Sequence, residues 1–111
     1  METQPPDYLP EEWEEITASL CERFEHEYAL EIAKGHGLYG VPVRAVAKRK
    51  DCDDVLFRLL RHLCKYSIVH LTWSGKEEKN IDFPRFELFA DDDHLKEGLG
   101  LKPPKPVDEN F

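Results

Sequence analysis

His70 and Thr72 stand two residues apart in SIVHLTWS, the spacing that puts two side chains on one face of a β-strand. With Arg44 and Arg58 they make the strongest set of groups for holding an anion, because guanidinium groups grip carboxylates and phosphates through paired N–H donors. Acid–base work on a phosphodiester needs a second imidazole placed like the first. His36 does not supply it in the same motif, since Gly37 and Leu38 follow where a threonine or serine is required. A lone strand histidine is more often a hydrogen-bonded structural residue.

Glu27 and Glu31 are four apart and share one side of a helix, close in sequence to His26 and His36. A carboxylate pair suits acid–base chemistry, yet exposed glutamates on an acidic helix are far commoner. Glu14, Glu15 and Glu22 fall outside the apolar stripe of that helix and are the candidates for contact with a cationic partner. DCDD and DDDH resemble metal ligands only at first sight. Counting from Asp51, the sixth place of a calcium loop demands glycine and holds Leu56. Asp91, Asp92, Asp93 and His94 lack the spaced pairing of a zinc site and fit a helix start better. No metal or other cofactor is implied, and no phosphate-loop, nucleophile-elbow or zinc-protease pattern occurs.

The elements that must position these groups follow from periodicity. Pro5, Pro6 and Pro10 predict an extended segment over 1–9, and the acids after Pro10 favour a helix N-terminus. Trp13, Ile16, Leu20, Phe24 and Tyr28 fall on one helical stripe, so a helix is predicted from about Pro10 to about Lys34, where the glycines of KGHGLYG end it. VPVRAVAKRK alternates Val41, Val43, Ala45 and Ala47 against Arg44, Lys48 and Lys50, a strand pattern followed by a turn at KDCDD. VLFRLLRHLC fits a helix as well as a strand; the strand over Val55 to Leu60 is favoured because it completes a hairpin. SIVHLTWS is a third strand, SGKEEKN a polar turn, RFELF a short fourth strand, and DDDHLKEGLG a short helix. The Pro-rich stretch 102–111 is expected to be a mobile tail, and its single PxxP, Pro103 to Pro106, is too common a pattern to imply recognition.

The predicted fold is α+β: a long N-terminal helix on a three- to four-stranded antiparallel sheet, with a short C-terminal helix, forming one domain over 10–101. Val43, Ala45, Val55, Phe57, Leu59, Val69, Leu71 and Trp73 would face the helix. The opposite face would carry Arg44, Val46, Lys48, Leu56, Arg58, Leu60, Ile68, His70 and Thr72, cationic and aliphatic together. So much aliphatic surface calls for a cover, either the C-terminal segment or a partner.

Composition limits the function classes. A net charge of −8 disfavours nucleic-acid binding. The charge is uneven: residues 1–33 sum to −9 and residues 34–50 to +5. No apolar run reaches the roughly 20 residues of a membrane-spanning helix. The first residues lack a signal-peptide pattern, and Cys21, Cys52 and Cys64 cannot all pair within one chain, so a cytoplasmic location with free thiols is expected.

GHGLYG, DDVLF, VHLTWS and FPRFELF together resemble an uncharacterised family of small bacterial proteins in which a helix precedes a strand meander. That resemblance spans about residues 13–95; it implies the strand reading of VLFRLL and no activity, substrate or cofactor. His70-Leu71-Thr72 also matches half the signature of the two-histidine phosphoesterases, but the second half is missing. The expectation is a non-enzymatic binding protein of immunity or inhibitor type, engaging a basic partner such as a toxin through its acidic first helix. The alternative is a small hydrolase or phosphate-ligand binder using Arg44, Arg58, His70 and Thr72. Self-association is a third option.

Overall fold

Seven elements are present in the computed structural model, which describes residues 5–76, 79 and 83–101. They are β1 (Trp13–Glu14), α1 (Ala18–Glu31), β2 (Val43–Arg49), β3 (Asp54–Leu59), β4 (Tyr66–His70), β5 (Arg85–Phe89) and α2 (Asp92–Gly98). The strands form one antiparallel sheet in the order β1-β2-β3-β4-β5, a plain meander. The fold is α+β as expected, with five strands instead of three or four. Among the described residues no helix is long and apolar enough to cross a membrane. The C-terminal stretch 102–111, residues 1–4 of the segment predicted extended, and residues 77, 78 and 80 of the polar turn lie outside the described residues.

The extra strand comes from residues assigned above to the start of the helix. Trp13 pairs with Arg49 and Glu14 with Lys48, and the N–H of Lys50 donates to the carbonyl of Glu12 at 2.8 Å. The helix starts only at Ala18, where the Thr17 hydroxyl accepts the N–H of Leu20 at 3.3 Å and caps the first turn. Trp13 therefore leaves the stripe of Leu20, Phe24 and Tyr28 and is buried on the other side of the sheet. A large indole gains more by filling that second core than by lying on a first turn with few neighbours. At its other end α1 stops at Glu31 rather than near Lys34, because Ile32 is already extended and its side chain is drawn into the core.

β2 departs from strict alternation. Ala45 pairs with Phe57 but Ala47 pairs with Leu56, so one extra residue, Val46, is accommodated by a bulge. The bulge reverses every side chain after it. Ala47, predicted to face α1, lies with Val46 in the opposite core. β3 is a strand, and Leu63, which a helix would have placed on its apolar stripe, is 99% exposed at the β3–β4 turn.

Each face of the sheet holds its own core. Beneath α1, Phe24, Tyr28 and Ile32 pack on Leu38, Val43, Phe57, Val69 and Leu71. On the opposite face Trp13, Val46, Ala47, Leu56, Tyr66 and Phe89 are covered by Leu95 of α2, with Tyr8, Leu9 and Leu99 against them. The aliphatic part of the second face is thus closed by both chain ends together. Tyr8 donates its hydroxyl to Asp92 at 2.6 Å, and Lys65, just before β4, binds the same carboxylate, tying the first segment to α2.

Candidate functional site

Among the described residues the second face stays open at one end. There Asp54, His70 and Arg85 stand opposite one another on β3, β4 and β5, with Ile68 opposite Glu87 one step along the face. With Gly35, Gly37 and Phe86 they line an open cleft of about 780 Å³. His70 Nδ1 lies 2.8 Å from Asp54 Oδ1. A carboxylate at that position accepts the Nδ1–H and leaves Nε2 for a ligand. Arg85 stacks on the ring of Phe83 at 5.2 Å, and Glu87 is exposed on the same strand.

The four residues proposed for an anion site are not brought together. Arg44 is paired with Arg58 across β2 and β3, while His70 is opposite Asp54, four residues further back along β3 and at the other end of the face. Arg44 reaches Glu25 at 3.9 Å, and Arg58 lies 6.0 Å from the Tyr66 ring. Thr72 lies beyond the end of β4, where its backbone N–H donates to Glu31. The strand alternation that predicted one face for all four ignores that they lie at different distances along it.

Glu27 and Glu31 do form a pair, in a setting opposite to the exposed one expected. Glu31 is 0% exposed and Glu27 is 6% exposed. The two oxygens of Glu31 accept the N–H groups of Thr72 and Trp73 at 2.8 and 2.7 Å, and Glu27 accepts that of Gly75 at 2.9 Å. The carboxyls are also hydrogen-bonded to each other. Burial and that bond push Glu31 up to about 7, whereas the bond from the Glu31 side holds Glu27 below the usual carboxylate range. The pair clamps the loop after β4. Trp73, whose φ is 58°, needs the clamp, because a bulky residue resists the left-handed region. Its ring meets Phe24 edge-on at 5.6 Å, beneath the guanidinium of Arg23.

Neither nearby histidine serves this pair by a direct bond. His36 is buried with Nε2 2.9 Å from the carbonyl of Pro84 and Nδ1 accepting the N–H of Leu38 at 3.0 Å, its ring against Phe86. Those bonds place the proton on Nε2 and leave the imidazole structural. His26 is exposed on α1.

The charges divide unequally between paired and unpaired groups. Arg49 binds Asp51 through two bonds of 2.9 Å, the ammonium of Lys48 donates to the carbonyls of Arg49 and Cys52, and Lys65 binds Asp92. Glu14 on β1, Glu15 in the link and Glu22 on α1 are all exposed, as are Glu11 and Glu12, and none enters an ion pair among the described residues. The two candidate metal motifs resolve into caps and pairs. Asp91 caps α2 by accepting the N–H of His94 at 3.0 Å, and Asp51 is the partner of Arg49. Among the described residues no three His, Cys, Asp or Glu side chains are grouped to hold a metal ion.

Sequence reasoning missed Asp54, Arg85 and Glu87 as neighbours of His70, since only strand register joins them. The preference of aspartate for turns placed Asp54 in the β2–β3 loop, although it opens β3. No family model, curated protein or solved structure matches the chain.

Proposed function

We propose that the chain is a small binding protein of immunity or inhibitor type, which engages a basic protein partner through the acidic surface of residues 11–22. One observation carries this reading: among the described residues the carboxylates of that surface are exposed and enter no ion pair, while the basic residues Lys48 and Arg49 of the neighbouring β2 are engaged elsewhere. Unpaired charge of one sign accelerates encounter with a cationic surface and is felt over about 10 Å at ordinary salt. Binding to a panel of basic toxins would be measured from low to high salt. The association rate is expected to fall steeply with salt, and also in a Glu14→Lys, Glu15→Lys, Glu22→Lys variant. Affinity indifferent to both overturns the reading.

The cleft favours a second reading, a small-ligand site centred on the His70–Asp54 pair, with Arg85 in the place expected for Arg44 and Arg58. Inorganic phosphate titrated against the imidazole resonances would test it; a His70 shift lost in Arg85→Gln supports it, and an unmoved His70 removes it.

A further inference from the structure

The cleft at His70 is lined by charges of both signs, and two of them are uncommitted. Arg85 and Glu87 stand two residues apart on one face of β5, which sets their Cα atoms about 7 Å apart. Among the described residues neither enters an ion pair, with the other or with any third group. Arg85 is instead stacked on the Phe83 ring at 5.2 Å, which favours one placement of its guanidinium. Asp54 and His70, in the same cross-strand row as Arg85, already hold each other at 2.8 Å. That pair is neutral when the imidazole is protonated and carries one negative charge when it is not. Arg85 and Glu87 cancel, so the lining never carries net positive charge.

A simple anion therefore meets Glu87 as well as Arg85, and a simple cation meets Arg85 as well as Glu87. A ligand with one charge of each sign satisfies both. The rest of the lining supplies a wall and an apolar floor. His36 fastens loop 35–37 to the Pro84 carbonyl at 2.9 Å, and a Cβ on Gly37 would come within 2.7 Å of the Phe86 ring, so the loop lies this close to Phe86 as placed only with glycine at 37. Gly35 and Gly37 are exposed there, and their backbone N–H groups meet no acceptor among the described residues. Ile68, half-buried, lies opposite Glu87 on the same face. We propose that the cleft binds a free α-amino acid with an apolar side chain, its carboxylate on Arg85, its ammonium on Glu87 and its side chain over Ile68. One carbon separates the two charged groups of such a ligand, and groups met at about 2.8 Å on either side bridge side chains rooted about 7 Å apart. The space, about 780 Å³, is of small-ligand size. The inference rests on the small-ligand reading of this cleft and narrows it from an anion to a zwitterion.

Leucine would be titrated against the full chain while the imidazole resonances of His70, which stands opposite Arg85, are followed. Two probes keep its carbon skeleton: 4-methylpentanoate lacks the ammonium and 3-methylbutylamine lacks the carboxylate. Inorganic phosphate, held by Arg85 alone, is the fourth probe. Leucine is expected to bind roughly tenfold or more tightly than any of the other three. Arg85→Gln is expected to weaken leucine and 4-methylpentanoate and to spare 3-methylbutylamine. Glu87→Gln is expected to weaken leucine and 3-methylbutylamine and to spare 4-methylpentanoate. Both side chains are exposed, and circular dichroism checks that the variants stay folded. Leucine binding no tighter than 4-methylpentanoate or phosphate overturns the zwitterion and leaves the small-ligand reading standing, as does a leucine affinity indifferent to Glu87→Gln. A His70 unmoved by all four probes removes both.

Discussion

The two faces of the sheet enclose their cores by different means. The face under α1 is closed by one continuous element, and even its charged residues are consumed there, with Glu27 and Glu31 capping the loop after β4. The opposite face is covered by two separate pieces, Tyr8, Leu9 and Trp13 with Leu95 and Leu99. What remains is the cleft at His70. The difference teaches that a helix laid along a sheet closes one face with one element, whereas a cover assembled from separate segments leaves, among the described residues, a cleft beside it.

Removing the largest piece of the assembled cover is the strongest way to break the comparison. Trp13→Ala should cost about 3 to 5 kcal/mol in urea unfolding, through the cavity left between Val46, Leu56 and Leu95, while α1 keeps its helical signal. A loss near zero would mean that Trp13 does not hold the second face.

On the α1 face the test is Glu31. Glu31→Ala leaves two part-buried N–H groups without their acceptors and should destabilise by roughly 1 to 3 kcal/mol. The pH dependence has a definite sign. Glu31 is held above its ordinary value of 4.5, up to about 7, so the folded chain keeps a proton that the unfolded chain releases. Stability contributed by that proton is complete below about 4.5, falls as pH rises toward about 7, and is lost above it. Glu31→Gln should flatten the stability profile across that window. Asp92 titrates in the opposite sense: held low by Lys65 and Tyr8, it loses its contribution only as pH falls below the ordinary carboxylate range.

Asp92→Asn should have a smaller effect, about 1 kcal/mol after solvent screening, by loosening the tie between Tyr8 and α2. Smallest in stability is the Glu14→Lys, Glu15→Lys, Glu22→Lys change, expected to cost about 0.5 kcal/mol, because no ion pair among the described residues is lost and only Glu14→Lys, opposite Lys48, sets like charges across strands. If the variant melts well below the parent, these acids serve the fold and not a partner.

Much of this was legible before the structure. Period-two alternation located β2 and β4, the hairpin context decided β3, and the aspartates 91–93 signalled the start of α2, since each pattern is local. β1 was not legible, because two residues carry no period and the Trp13 spacing fits a helix equally well. Thr17 was the available signal: a good capping residue directly before Ala18, overridden by the apolar stripe that runs through it. The bulge at Val46 was hidden for a related reason, since one extra residue is visible only in the register with β3. At the site, His70 stood out by type, but Asp54 is 16 residues away and joins it only across strands.

By itself the chain determined its class, an acidic α+β domain with a basic strand between acidic elements, because composition and short periods act locally. Which charges were to be used internally was decided by tertiary structure alone. Burial turned Glu27 and Glu31 into backbone acceptors and drew the cations of β2 into bonds with their neighbours, while Glu14, Glu15 and Glu22 were left in water. Identical carboxylates separate in this way because desolvation makes a buried charge costly unless partners meet it, and only the fold brings the partners.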